Sequence, residues 1–213
     1  MKRIVLIAAM ALFPLLSRAE APTAGPAADP TAHRHLGLFL RADAGLGYMV
    51  MKGSGTMYID GLTSTYLPFG VTAGYAVIEN FIVGGEVWGM TTIAPSPKSP
   101  LIHYSNLLLG AVGLNLTYYF MPVNIYVSAT PSLSLLRQTY DQILGIPLSG
   151  SANTKVGFGG KLAVGKEWWV ADHWGVGVAL QFFVGINADT TNVDSGITWT
   201  TLGGAAAISA TYN

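Results

Sequence analysis

Four charged residues stand among small and apolar neighbours: Arg41, Asp43, Glu86 and Lys161. Two of each sign make a neutral set, and charges removed from water need opposite partners because isolated burial is very costly. The chemistry this suggests is an ion-pair network, with Asn115, Tyr126 and Gln181 as its polar surround. A charged conduction path is the alternative use of the same four residues. Glu86 and Glu167 have the residue types for paired-carboxylate hydrolysis, yet nothing in the sequence sets their separation. His33 and His35 are donors a metal could use; without further ligands nearby they are expected to be solvated, and no metal site is expected. There is no phosphate loop, nucleophile elbow or two-histidine zinc helix, and no cofactor is expected. Cysteine is absent, which excludes a disulfide, a thiolate metal site, a cysteine nucleophile and a lipid-modified N-terminal cysteine.

The elements that must position these residues follow from composition and period. Only 10% of the 213 residues are charged, against about a quarter in soluble domains. Mean hydropathy is +0.44, yet no apolar run reaches the ~18 residues a helical span requires. The longest candidate, Ile4–Leu16, follows Lys2 and Arg3 and precedes Ala19-Glu20-Ala21. That is the layout of a secretory signal, with cleavage expected after Ala21 and after Ala19 as the other choice. Residues 22–35 are rich in Pro and Ala and read as a flexible periplasmic tail, leaving 36–213 as one domain. Net charge is zero with no basic block, so nucleic acid is not an expected partner.

From Leu36 onward the period is two. Leu36, Leu38, Leu40, Ala42, Ala44, Leu46, Tyr48 and Val50 alternate with Gly37, Phe39, Arg41, Asp43, Gly45, Gly47 and Met49. One face is wholly apolar, and the other is small or charged. A helix would scatter these two classes around its circumference. About eight such segments occur, joined alternately by tight connections (78–80, 120–123, 169–173) and long ones (51–65, 91–104, 137–153, 188–198). The expected fold is all-β, an eight-stranded antiparallel transmembrane up-and-down β-barrel, with turns on one side of the membrane and loops on the other. Pro131 inside a segment suggests a bulge.

A soluble barrel would share the period but turn its apolar face inward. Here the non-apolar face is mostly Gly, Ala, Ser and Thr, too poor in charge for a surface in water. It suits the crowded interior of a small barrel. Arg41, Asp43, Glu86 and Lys161 therefore face the lumen, and Lys166, of outward parity, snorkels to the interface. Tyr75, Phe81, Tyr118, Tyr119, Phe120, Trp168, Trp169, Trp174 and Tyr212 lie beside the short turns, and Tyr48, Tyr66 and Trp199 toward the long loops. Two such aromatic belts flanking aliphatic centres are what a bilayer selects.

The segments Tyr75–Glu86 and Tyr118–Tyr126 resemble the strand–turn–strand units of the small outer-membrane β-barrel families, the OmpA-like and OmpW-like group. The resemblance implies a monomer in the cell outer membrane, with outer-membrane lipids and the barrel-insertion machinery as partners. Such barrels usually end in an aromatic residue that the machinery reads; here Tyr212 is penultimate, and the apolar spacing Ala206, Ile208, Ala210, Tyr212 is kept. The favoured function is structural and surface-displaying, with a mostly plugged lumen and no enzymatic activity. An OmpW-like passage for small hydrophobic molecules is the alternative, supported by Phe39, Met49, Trp88, Met90 and Phe183 at inward or mouth positions. His103-Tyr104-Ser105-Asn106 resembles the catalytic segment of outer-membrane lipid A deacylases, which implies Ser105 as nucleophile and His103 as its base. Parity opposes that role: both residues share the phase assigned to the lumen, whereas a lipid-cleaving pair must face the membrane.

Overall fold

The computed structural model describes residues 34–54, 61–97, 102–190 and 196–213. The expected signal, residues 1–21, and most of the expected tail, including His33, lie outside the described residues. Nine strands occur among the described residues: β1 (Gly37–Ser54), β2 (Leu62–Ile78), β3 (Phe81–Pro97), β4 (Ile102–Phe120), β5 (Ile125–Ile143), β6 (Ile146–Asn153), β7 (Gly157–Ala171), β8 (Trp174–Ala188) and β9 (Thr198–Tyr212). All pairings are antiparallel and join chain neighbours, except that β7 pairs with β5 rather than β6, and β1 pairs with β9 to close the sheet. β6 and β7 form one stave, because both pair with β5, at Arg137–Ile143 and Ile125–Ser134 respectively. The result is a closed barrel of eight staves.

Alternation sets the inside and the outside. Leu38, Leu46 and Val71 are exposed while Phe39, Arg41 and Asp43 between them are buried. Tight turns at Glu79-Asn80, Met121–Asn124 and Asp172-His173 mark one end, which we call the turn end. Asn80 and Asn124 take the left-handed conformation (φ 66° and 52°), which asparagine adopts more readily than most residues.

At the opposite, loop end the strands run further than the apolar pattern predicts. β1 continues to Ser54 and β3 to Pro97, and 137–153 is not a loop but the top of β5 turning through Leu144-Gly145 into β6. The hydrophobic period fades there because both faces of an overhanging strand are exposed, as every residue of Ile146–Ser149 is. Backbone pairing persists without it.

Pro131 does not make a bulge. The β4–β5 register is the same on both sides of it (Gly113↔Ser132, Leu116↔Ala129), but Leu114 and Asn115 find no partner between. Pro68 interrupts the β1–β2 ladder in the same way, between Ala44↔Phe69 and Gly47↔Tyr66. A residue without an N–H leaves a gap in the ladder without changing its count.

Candidate functional site

The barrel interior is stacked in layers along its axis. Toward the loop end lies an apolar layer that includes Met49, Met51, Tyr66, Trp88, Met90, Leu107, Phe183 and Trp199, each nearly or fully buried. Its rings interlock, with Phe183 at 5.3 Å from Tyr66 and 5.9 Å from Trp88. Trp88 Nε1 donates to Ser132 Oγ at 2.8 Å, which leads into the polar layer below.

Lys161 is the centre of that polar layer. Its Nζ contacts Glu86 Oε1 and lies 3.6 Å from Asp43 Oδ2. Gln181 Nε2 donates to Asp43 Oδ1 at 2.7 Å. Asn115 Nδ2 is 3.1 Å from Glu86 Oε2 and 3.0 Å from both Ser128 Oγ and Thr130 Oγ1, while Thr130 Oγ1 also donates to Glu86 Oε2. Space for the triad comes from Gly70: a Cβ there would sit 2.8 Å from Asp43 Oδ2 and 3.2 Å from both Glu86 Oε1 and Lys161 Nζ. Six strands, β1, β3, β4, β5, β7 and β8, thus meet through side chains across the lumen.

Arg41 faces the lumen but does not join that layer. It stands one inward position nearer the turn end than Asp43, and its guanidinium lies 4.6 Å from the Tyr126 ring centroid and 5.6 Å from that of Phe39. Its Nη2 is 3.5 Å from Ser128 Oγ, and it makes no ion pair with a described carboxylate. The expected four-residue network is therefore a triad plus an arginine held on aromatic faces. Glu167, not a member of the expected lumen set, is buried in the layer below. It accepts from Tyr119 Oη at 3.0 Å and Thr211 Oγ1 at 2.8 Å. Its odd position on β7, shared with Lys161, was the signal available. Glu86 and Glu167 have separate partners in different layers.

Below Glu167 the turn end is closed by His35, which is fully buried rather than solvated. Its ring stacks on Tyr119 at 3.6 Å and lies 5.1 Å from Trp169. Its Nε2 is 2.9 Å from Asn124 Oδ1. Because Asn124 Nδ2 donates to the Glu167 carbonyl, the amide oxygen faces the imidazole and Nε2 is the protonated nitrogen. His35 and Asn80 exchange two further bonds, and Arg34 pairs with Glu79 at 3.3 Å. Burial lowers the pKa of His35; the Asn124 and Asn213 hydrogen bonds oppose that shift, and the charge of Arg41 adds to it.

The aromatic assignments divide by parity. Tyr48, Tyr75, Tyr118, Trp168 and Trp174 are exposed on the outer face, and Phe81 and Tyr212 are half-buried at the turn end. Four assignments need correction. Tyr66, Tyr119 and Trp199 are buried inside because they share the inward phase of their strands, and Trp169 turns its indole to His35.

His103 and Ser105 also require correction. Pairing skips Ser105, from Tyr104↔Tyr140 to Asn106↔Thr139, so β4 carries a bulge there. One extra residue reverses the phase above it. Tyr104 points in, while His103 and Ser105 are exposed. Asn106 fixes the bulge by donating to Thr91 Oγ1 at 3.0 Å and to the Thr92 carbonyl at 3.1 Å. His103 Nδ1 lies 2.7 Å from Asp141 Oδ1 on β5. A serine and a histidine–aspartate pair therefore share the outside of the barrel near its loop end.

No described protein family matches this chain, and no curated protein matches its sequence. Solved structures do. The outer membrane protein AlkL, determined in lipid bilayers, is 15% identical with a TM-score of 0.51, over 90% of this chain and 96% of that one. Neisserial surface protein A is 16% identical (TM-score 0.44; 81% and 95% covered). OprG from Pseudomonas aeruginosa is 11% identical (TM-score 0.42; 84% and 97% covered). At these identities the likeness establishes fold: this chain has the fold of a small outer-membrane β-barrel.

Proposed function

We propose that the protein is an integral outer-membrane barrel that anchors in the bilayer and displays its loop end, with a lumen closed by the stacked layers. The carrying observation is the inversion of the usual soluble arrangement. Leucine, valine and phenylalanine side chains stand exposed around the wall, and an ion triad lies inside. Water does not solvate such a wall; lipid does. The Lys161 triad, the interlocked rings above it and His35 below support a plug, since eight staves enclose only enough room for side chains. Boiled and unboiled samples in detergent gels test the barrel: the folded form is expected to migrate faster. Planar-bilayer recording tests the plug, with no conductance above background expected. Liposome uptake of a small apolar solute would instead favour passage through a layer whose rings part.

A second reading has one observation in its favour. The bulge at Ser105 places Ser105, His103 and Asp141 outside, where a lipid ester could reach them, and the 2.7 Å His103–Asp141 contact is the orienting bond a histidine base needs. On this reading Ser105 is the nucleophile of an acyl hydrolase. Mass spectra of lipid A extracted from cells expressing the wild type and Ser105→Ala decide it. Loss of an acyl chain in the first only supports hydrolysis, and identical spectra remove it.

A further inference from the structure

Outside the lumen, a lipid-facing cation near the turn end lacks a carboxylate partner among the described residues. Lys166 on β7 has its Nζ drawn to the turn end, where it donates to the Val123 carbonyl at 2.6 Å and lies 5.7 Å from the Trp168 ring centroid. Among the described residues it makes no ion pair. From Lys166 an exterior groove of about 720 Å³ crosses β7, β8, β9 and β1. Its walls are aliphatic, including Val164, Val178, Leu180 and Ile208, and among the described residues Lys166 is the only charged one that lines it. The recess arises where Ala44 and Ala206 take outward positions that neighbouring strands fill with leucine, valine or phenylalanine. A positive head at the membrane edge, continuous with an apolar trough directed toward the wall centre, complements one kind of molecule: an amphiphile with an anionic head.

We propose that this groove is a binding site for an anionic phospholipid of the turn-end leaflet, with its phosphate at Lys166 and one acyl chain along Ala44 and Ala206. The proposal rests on the lipid-facing reading of the wall. An ammonium near anionic lipid is worth about 1 kcal/mol, so roughly fivefold in retention is expected from the headgroup alone. Native mass spectrometry of the detergent-solubilised barrel with phosphatidylglycerol or phosphatidylcholine tests it. The wild type should retain one phosphatidylglycerol in preference to phosphatidylcholine. Lys166→Gln should bring the two lipids level, Lys166→Arg should keep the preference, and Ala206→Leu should reduce retention of both. Equal retention of the two lipids by the wild type overturns the proposal, as does a preference that survives Lys166→Gln. A two-chain species lost in Ala206→Leu overturns it too, by making the occupant a second copy. Heat-shifted gel migration of each variant separates these outcomes from failure of the barrel reading, in which no form shifts and neither lipid is retained.

Discussion

Individual residues in the lumen hold positions that tolerate little change. Lys161 neutralises two buried carboxylates, so Lys161→Met leaves Asp43 and Glu86 facing each other without a cation. Removing one partner of a buried pair costs about 3–5 kcal/mol, and urea unfolding in detergent micelles should show a loss on that scale. Gly70→Val places methyl groups where the triad sits and is expected to destabilise comparably, whereas Gly110→Ala, whose Cβ meets nothing within 4 Å, should be neutral. His35 gives the pH dependence. Its pocket prefers the neutral ring, so the free ring protonates first as pH falls. Closure of the turn end is complete above the ordinary value of 6.5 and weakens below it toward the lowered value, roughly tenfold per pH unit. Hydrogen exchange at the Asn80 amide, which donates to the His35 carbonyl, measures this. In His35→Asn that pH step should vanish; an unchanged step would falsify the assignment.

At the scale of strands, alternation revealed what faced inward wherever pairing was regular. Arg41, Asp43, Glu86, Asn115, Lys161 and Gln181 all occupy the interior that period two assigns them. The same rule, applied to Tyr119 and Trp199, would have removed them from the outer belts. It could not locate Ser105, because a bulge depends on how two strands match and leaves no mark in either alone. Nor could it foresee His35, whose burial depends on Asn80, Asn124 and Tyr119 arriving from other staves. The β5–β6 hairpin was hidden for another reason: with both faces exposed, nothing selects alternation. Its turn holds Leu144 at φ 54°, a conformation that favours asparagine or glycine. Leu144→Asn is expected to stabilise the hairpin by about 1 kcal/mol, visible as slower exchange of the amides in 146–152.

For the whole molecule, the long aliphatic side chains stand mostly on the outer wall, with a smaller apolar layer inside. Deleting residues 144 and 145 should leave heat-shifted migration intact, since the overhang pairs only with β5, while replacing Val71 with lysine on the wall should impair insertion. A charge at mid-wall costs about 2–4 kcal/mol, and the folded fraction after refolding into vesicles would report it.

The seam between β1 and β9 also has a consequence in time. Gln181 reaches Asp43 from 138 residues further along the chain, and the wall is complete only when Thr198–Tyr212 lies against β1. A growing chain cannot seal the lumen piecemeal. Its earliest strand must wait with an open edge for its latest, so that edge stays unpaired until the last fifteen-residue strand is in place.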